Sequence, residues 1–277
     1  MGIENDPPLR PQTDISMPDV TAGRSAAQEI LSAEPLTLSK HWMKLSEMMY
    51  GEQFIDELAQ LLREHTAQHV LECACGGGHI LEGLGQRGFT GIGIDADPEM
   101  IEAAYMRTVP GIEFRHLDWS RVEEVPGQFD LVMCRGNSIG YAGMWNKDEP
   151  DFDRERSEEM LERSIDVFFA KTKPGGLLYI DTTGDDEIVK MANDDDRIIL
   201  PGTDFHLDGK LEYDHPRRMR KTSGTAKWGN QVFQGGSVGL LVTPAELEEL
   251  LRKRNPQQVF RPALPHEQHY TAVCAIK

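Results

Sequence analysis

Between His69 and Thr182, short apolar runs alternate with segments of helical spacing, and this alternation restricts the fold more than any other feature. His69–Cys73, Thr90–Ile94, Ile112–Leu117, Phe129–Cys134 and Leu177–Thr182 read as strands. Helices are predicted from about His79 to Arg87, from Pro98 to about Thr108, and over Asp153–Thr172. The last carries Met160, Leu161, Ile165, Phe168 and Phe169 on one stripe. Pro98 suits a first helical turn. Pro174-Gly175-Gly176 turns the chain into the fifth strand. Strands separated by helices of this length predict an α/β fold: a parallel, Rossmann-like sheet with helices on both faces.

The flanks break this rhythm. Residues 1–35, rich in Pro, Asp, Ser and Ala without periodicity, read as a flexible arm. From Leu36 to Glu64 two helical stripes appear, Leu38, Trp42, Leu45, Met48 and Met49, then Phe54, Leu58, Leu61 and Leu62. Residues 36–183 are therefore the core with its N-terminal helices. Residues 184–242 hold a charged run, Asp185 to Arg197, and short β-like pieces at Ile198–Leu200, Leu211–Tyr213, Met219–Thr222 and Val232–Val242. An insertion of that size is rarely only a loop, and a small antiparallel β lid is expected. Residues 243–277 complete the core with a helix begun by Thr243-Pro244-Ala245-Glu246 and two closing strands.

Charge and composition exclude several classes. The 29 Lys and Arg against 46 Asp and Glu give a net charge of −17, which repels phosphate backbones and anionic membranes. No apolar run approaches the roughly 20 residues of a membrane span. The start, MGIENDPPLR, has no apolar signal core. Cys73, Cys75, Cys134 and Cys274 lie in or beside strand-like runs, as in a reduced cytoplasmic protein. Cys73 and Cys75 are poorly spaced for zinc, so no metal is expected. The expected partner is a small-molecule substrate, with neither nucleic acid nor membrane; homo-oligomerisation stays open.

In open α/β sheets ligands bind at the carboxyl ends of the strands. After strand 1 stand Glu72, Cys73, Ala74, Cys75 and the glycines Gly76, Gly77 and Gly78. Such glycines allow close backbone approach, and the next helix offers free N–H groups. Strand 2 ends at Asp95, 17 residues after Gly78, placed to accept ribose hydroxyls. Asp118-Trp119 ends strand 3 and offers an edge and a face to adenine. A dinucleotide site wants a third glycine where Leu81 stands. Glu72 beside the glycines suits a cationic amino end rather than a pyrophosphate. Together these residues point to S-adenosyl-L-methionine, with S-adenosyl-L-homocysteine as product.

The segment Val70 to Gly78 resembles the first motif of class I S-adenosylmethionine-dependent methyltransferases. Asp95, Asp118-Trp119, Phe129-Asp130-Leu131-Val132 and Pro174-Gly175-Gly176-Leu177-Leu178 resemble its later motifs, in order. Within that family the chain is most similar to glycine and sarcosine N-methyltransferases, through Cys134-Arg135-Gly136-Asn137-Ser138, Ala74 and the inserted lid. Arg135 stands where that group carries an apolar residue. The N-terminal segment does not reproduce the group's tyrosines and arginine. The resemblance implies that Glu72, Ala74 and Gly76 hold the methionine end, Asp95 the ribose, and Asp118 and Trp119 the adenine. Cys75, Gly78, Ala96 and Cys134 complete the cofactor set. Residues 134–138 form the floor under the acceptor, with Asn137, Arg135 and Tyr141 as the catalytic set, Asn137 facing the substrate. Tyr141 reads equally as a pocket wall or a loop anchor.

Methyl transfer from a sulfonium needs alignment, water exclusion and an unprotonated acceptor, not a dedicated base. A base could still sit at His206, His215, His266 or His269. A substrate carboxylate would need a cation: Arg135, beside Asn137, or the lid arginines Arg217, Arg218 and Arg220. The lid arginines also read as a solvated face pairing with the acidic run Asp185–Asp196. The expected function is methyl transfer to a small-molecule amine, glycine- or sarcosine-like or a metabolite amino group. Alternatives are O- or C-methylation of a secondary metabolite, or a non-catalytic S-adenosylmethionine-binding protein.

Overall fold

A computed structural model describes residues 35–145, 149–183, 197–199, 205–267 and 269–277. Residues 1–34 of the N-terminal arm and the charged run Asp185–Asp196 lie outside the described residues. Two helices, α1 (Leu38–Met49) and α2 (Glu52–Glu64), precede the sheet. Then follow β1 (His69–Cys73), α3 (His79–Gln86), β2 (Thr90–Asp95), α4 (Pro98–Tyr105), β3 (Ile112–His116), β4 (Phe129–Cys134), α5 (Arg154–Lys171) and β5 (Thr172–Thr183). Further on come β6 (Arg197–Ile199), β7 (Phe205–Asp214), β8 (Met219–Trp228), β9 (Gln231–Leu240), α6 (Pro244–Arg252), β10 (Gln258–Phe260) and β11 (Tyr270–Ile276).

The main sheet has seven strands in the order β10-β11-β5-β4-β1-β2-β3. β1 pairs in parallel with β2 on one side and β4 on the other. The winding therefore reverses between β1 and β4, the switch point at which such sheets open a crevice. β11 enters antiparallel beside β5. Leu71, Cys73, Ile94, Val132, Cys134 and Ile180 bury one face of the sheet, against Phe168 of α5 and Leu247 of α6. The other face packs on Phe54, Leu58 and Leu62 of α2 and Leu81 of α3. Both faces are covered, which is why these strands read as continuous apolar runs rather than alternating ones.

Strand 5 differs from expectation. It starts at Thr172, before the Pro-Gly-Gly, and its register with β4 jumps between Thr172↔Phe129 and Leu177↔Leu131. The turn is a bulge inside the strand: Gly175 takes a φ of 77° and donates to the Lys277 carbonyl, stitching β5 to the C-terminus.

The inserted stretch forms a four-stranded antiparallel sheet, β6-β7-β8-β9. It does not stand off from the core. Leu240 and Val242, at the end of the stretch, are buried with the α5 and α6 side chains. Ala226 packs with Leu36 and Leu45 of the N-terminal region. All four cysteines are free and buried. Among the described residues no helix is long and apolar enough to cross a membrane.

Candidate active site

A cavity of about 410 Å³ opens over the β1/β4 switch point. Its floor begins with the turn after β1. Ala74, with a φ of 64°, and Gly76, at 54°, both take the left-handed conformation. Such strain in a non-glycine residue persists only where the surroundings hold it. The holding groups are visible: the Cys75 N–H donates to the Ile94 carbonyl at 2.9 Å, and the Gly76 N–H donates to Asp95 Oδ2 at 2.8 Å. Arg107 grips the same turn by donating to the Gly77 carbonyl, while ion-pairing with buried Glu82 and with Glu47.

Asp95 does not cap the following helix. Asp97 does, accepting from Glu99 N–H at 2.9 Å and Met100 N–H at 3.2 Å. Asp95 instead ties two loops together, with Oδ1 accepting from the Asp97 N–H at 2.9 Å. Burial pushes its carboxyl up to about 6, against those two stabilising N–H bonds. Asp118 caps the short 3₁₀ turn Trp119–Glu124 by accepting from the Ser120 N–H at 2.7 Å. Trp119 meets Phe168 edge-on at 6.0 Å. Glu72, Ala74, Cys75, Gly76, Asp95, Ala96, Asp118 and Trp119 all border the cavity.

Other residues expected at the site lie elsewhere. Gly78 caps α3 with a φ of 77°, and a Cβ there would stand 2.6 Å from Phe114, so its glycine serves packing behind the turn. Cys134 is fully buried in the core, in register with Cys73. Asn137 takes a φ of 55° and turns toward β5. Its N–H donates to Asp181 Oδ1 at 2.7 Å and its Oδ1 accepts from Thr182 Oγ1 at 3.0 Å. The amide is thus committed internally and does not border the cavity.

Tyr141 does border it. Its hydroxyl meets Ser237 at 2.7 Å and accepts from Arg220 Nη1 at 3.0 Å, so it is both wall and anchor to the lid. Arg217 and Arg218 do not. Arg217 pairs with Glu149 at 3.0 Å, and Arg218 pairs with Glu158 at 2.6 Å and with Glu246. Glu158 lies on α5, Glu246 on α6 and Glu149 just before α5, and Arg217 also stands 3.9 Å from Asp214 at the end of β7. Arg220 and His269 line a smaller neighbouring cavity of about 140 Å³, which shares Trp42, Met49 and Tyr270 with the first. His266 pairs instead with Glu57 at 2.6 Å on an exposed face. The side chain of His206 lies outside the described residues.

Arg135 borders the cavity but is nearly enclosed. Its guanidinium lies 4.2 Å from the Tyr50 ring centre and 4.6 Å from that of Phe54, and its Nη1 is 3.7 Å from Glu72 Oε1. Burial pushes the Glu72 carboxyl up to about 8, with Arg135 opposing. Tyr50, Arg107, Trp145 and Met100 also border the cavity, and no sequence signal marks them, because each arrives from a helix or loop whose spacing signals only packing.

Residues 70–155 match the family described as methyltransferase domain. The sheet order and the glycine turn after β1 make the fold Rossmann-like, and its residues 70–155 resemble a methyltransferase domain. Human (Homo sapiens) glycine N-methyltransferase is 31% identical over 148 residues, covering 49% of this chain and 47% of that protein. A ubiquinone biosynthesis O-methyltransferase of Pseudomonas fluorescens (strain SBW25) is 34% identical over 139 residues, covering 47% and 48%. The chain thus spans about half the length of the curated relatives it matches. The solved S-adenosylmethionine-bound amino pentose methyltransferase of Micromonospora echinaspora superposes with a TM-score of 0.61 at 16% identity, over 84% of this chain and 95% of that one. That likeness is one of fold.

Proposed function

We propose that the protein is an S-adenosylmethionine-dependent methyltransferase acting on a small-molecule amine. The observation that carries this reading is the Asp95–Gly76 bond, which sets a carboxylate and a strained glycine turn on one wall of the cavity. The residues present fit the cofactor. Asp95 Oδ1 and Oδ2 each hold one backbone N–H and keep a further lone pair for ribose hydroxyls. Trp119 offers an indole and Asp118 an acceptor for adenine. Glu72 offers a buried carboxyl, whose Oε2 has no hydrogen-bond partner among the described residues, to meet an ammonium, and an arriving cation favours its ionised form.

When bound, the cofactor supplies a methyl group already activated on a sulfonium. The chain's own contribution is orientation and exclusion of water. Trp42, Tyr141, Trp145 and Met160 bound the cavity with largely apolar surface, which favours the neutral form of an amine and leaves its lone pair available. Tyr141, tied to the lid through Ser237, makes cavity closure depend on the lid.

Glycine and glycine/sarcosine N-methyltransferases among the relatives support nitrogen as acceptor atom. The ubiquinone O-methyltransferase at 34% identity supports oxygen as the second reading. Incubation with methyl-labelled S-adenosylmethionine and a panel of amines and phenols decides between them. Label on an amine is the expected result; label on phenols alone establishes the second reading, and no label on either with cofactor bound points to a binding protein.

A further inference from the structure

Glu72 and Arg135 stand at the ends of adjacent strands, β1 and β4, on either side of the switch point. Both side chains are almost fully buried, at 3% and 4% exposure, and both border the cavity. Their separation of 3.7 Å is too long for a hydrogen bond. Among the described residues, Glu72 Oε2 and Arg135 Nε and Nη2 also have no hydrogen-bond partner. A buried guanidinium with incomplete hydrogen bonding, beside a carboxyl that burial itself holds up to about 8, is a net liability to the fold. The Tyr50 and Phe54 rings hold the guanidinium in place, so it cannot reach water by a simple rotation.

We infer that the Glu72–Arg135 pair is a receptor for an α-amino-acid head group, the methionine end of the methyl donor, with Glu72 taking its ammonium and Arg135 donating to its carboxylate. The assignment of Arg135 rests on the methyltransferase reading above. A zwitterion presents opposite charges side by side, in the order this pair requires, and adds no net charge to a buried site. A bare carboxylate would meet Glu72, and a bare ammonium would leave Arg135 as it stands. The same chemistry excludes an amino-acid acceptor from this position. A nitrogen held as ammonium against Glu72 has no lone pair with which to attack a methyl group. Arg135 is then a donor-binding residue, not the anchor for an acceptor carboxylate that the sequence suggests.

Two further carboxyls, Asp181 and Glu267, face Arg135. With all carboxyls ionised the cluster is rich in negative charge and favours a simple cation. Asp181 spends Oδ1 on the Asn137 N–H at 2.7 Å, and Glu267 Oε1 accepts from the Tyr270 N–H at 3.1 Å. Burial raises both carboxyls, to about 6 and about 7, which lessens their charge near neutrality.

Calorimetry on the full chain separates the two outcomes. The ligands are S-adenosyl-L-homocysteine, its decarboxylated analogue, which keeps the amine, and 5′-methylthioadenosine, which lacks the amino-acid end. Wild-type protein should bind the decarboxylated analogue at least about tenfold more weakly than the parent, the worth of one charge-assisted bond. In Arg135→Met that gap should fall below about threefold, with methylthioadenosine affinity unchanged. Equal binding of parent and decarboxylated analogue by the wild type overturns the assignment even if the variant fails to fold. Absence of homocysteine-product binding by the wild type overturns the methyltransferase reading as well, so the two failures are distinct.

Discussion

Replacing Asp95 with Ala tests the centre of the proposed cofactor site. The carboxylate does two jobs in the structure, holding the Gly76 and Asp97 N–H groups at 2.8 and 2.9 Å, and in the proposed complex it also binds ribose. Removing an acceptor from a buried N–H costs about 1–3 kcal/mol. Against this, burial raises the carboxyl to about 6, so holding it ionised at neutral pH costs the fold, and its loss relieves that penalty. The net destabilisation should be about 1–3 kcal/mol, or a fall in Tm of about 2–4 °C for each kcal/mol in a chain of this size. Ribose binding should lose charge-assisted bonds of about 1.5–3 kcal/mol each, so affinity for S-adenosyl-L-homocysteine should drop at least about tenfold. Loosening of the glycine turn alone could also lower affinity, so a second ligand is needed. Wild-type protein should prefer S-adenosyl-L-homocysteine over its 2′,3′-dideoxy analogue, and Asp95→Ala should lose that preference, as a double-mutant cycle requires. A folded Asp95→Ala protein that still discriminates the two ligands as the wild type does refutes the ribose role and leaves Asp95 as a tie between loops.

Four other outcomes follow from contacts already described. Arg107→Met removes the buried cation between Glu82 and Glu47 and frees the Gly77 carbonyl; denaturant unfolding should show a loss of about 3–5 kcal/mol. Tyr141→Phe removes the hydroxyl that joins Arg220 to Ser237; Tm should fall by a few degrees, roughly one hydrogen bond's worth, while S-adenosyl-L-homocysteine affinity stays within about twofold. Arg218→Ala breaks pairs with Glu158 and Glu246 that are about a third exposed; it should cost at most about 1 kcal/mol and leave the acceptor KM unchanged, and a strongly raised KM would return this arginine to the substrate site. The Glu72 carboxyl is raised from 4.5 to about 8 by burial, so the folded protein keeps a proton that the unfolded chain releases. Its contribution to stability is present at low pH and fades as pH rises toward about 8; Tm of Glu72→Gln should therefore fall less between about pH 5 and 8 than that of the wild type.

How far the sequence discloses this site depends on whether a residue's partner is local. The strands that build the crevice are legible because both sheet faces are covered, which makes each strand a continuous apolar run. Asp95 is legible because it ends such a run at a fixed distance from a glycine turn. The jobs of these residues are less legible. Whether Asp95 or Asp97 caps α4 depends on a backbone N–H 19 residues away in the other loop. Asn137 stands in a segment suggestive of an acceptor floor, yet its left-handed backbone turns the amide onto Thr182 of β5, 45 residues on. Pro174-Gly175-Gly176 looks like a strand boundary but is absorbed as a bulge, because the strand's other neighbour, β11, continues pairing at Leu177 and the Lys277 carbonyl accepts from Gly175.

The lid arginines show why charge runs mislead. In one dimension Arg217, Arg218, Arg220 and Lys221 form a single basic patch that invites a single acidic partner. In the structure they belong to a turn and the strand after it, and successive positions point in different directions. Arg218 sits in the turn with a φ of 53° and reaches the α5 and α6 carboxylates. On β8, Arg220 turns inward to Tyr141 while its neighbour Lys221, on the opposite face, meets Glu149 at 2.7 Å. A run that reads as one binding element is thus divided among three separate tasks, and only Arg220 stays beside the cavities. Arg135, a buried cation that borders the main cavity with its bonding incomplete among the described residues, comes instead from an apolar strand end, where an arginine is costly unless something completes its bonding.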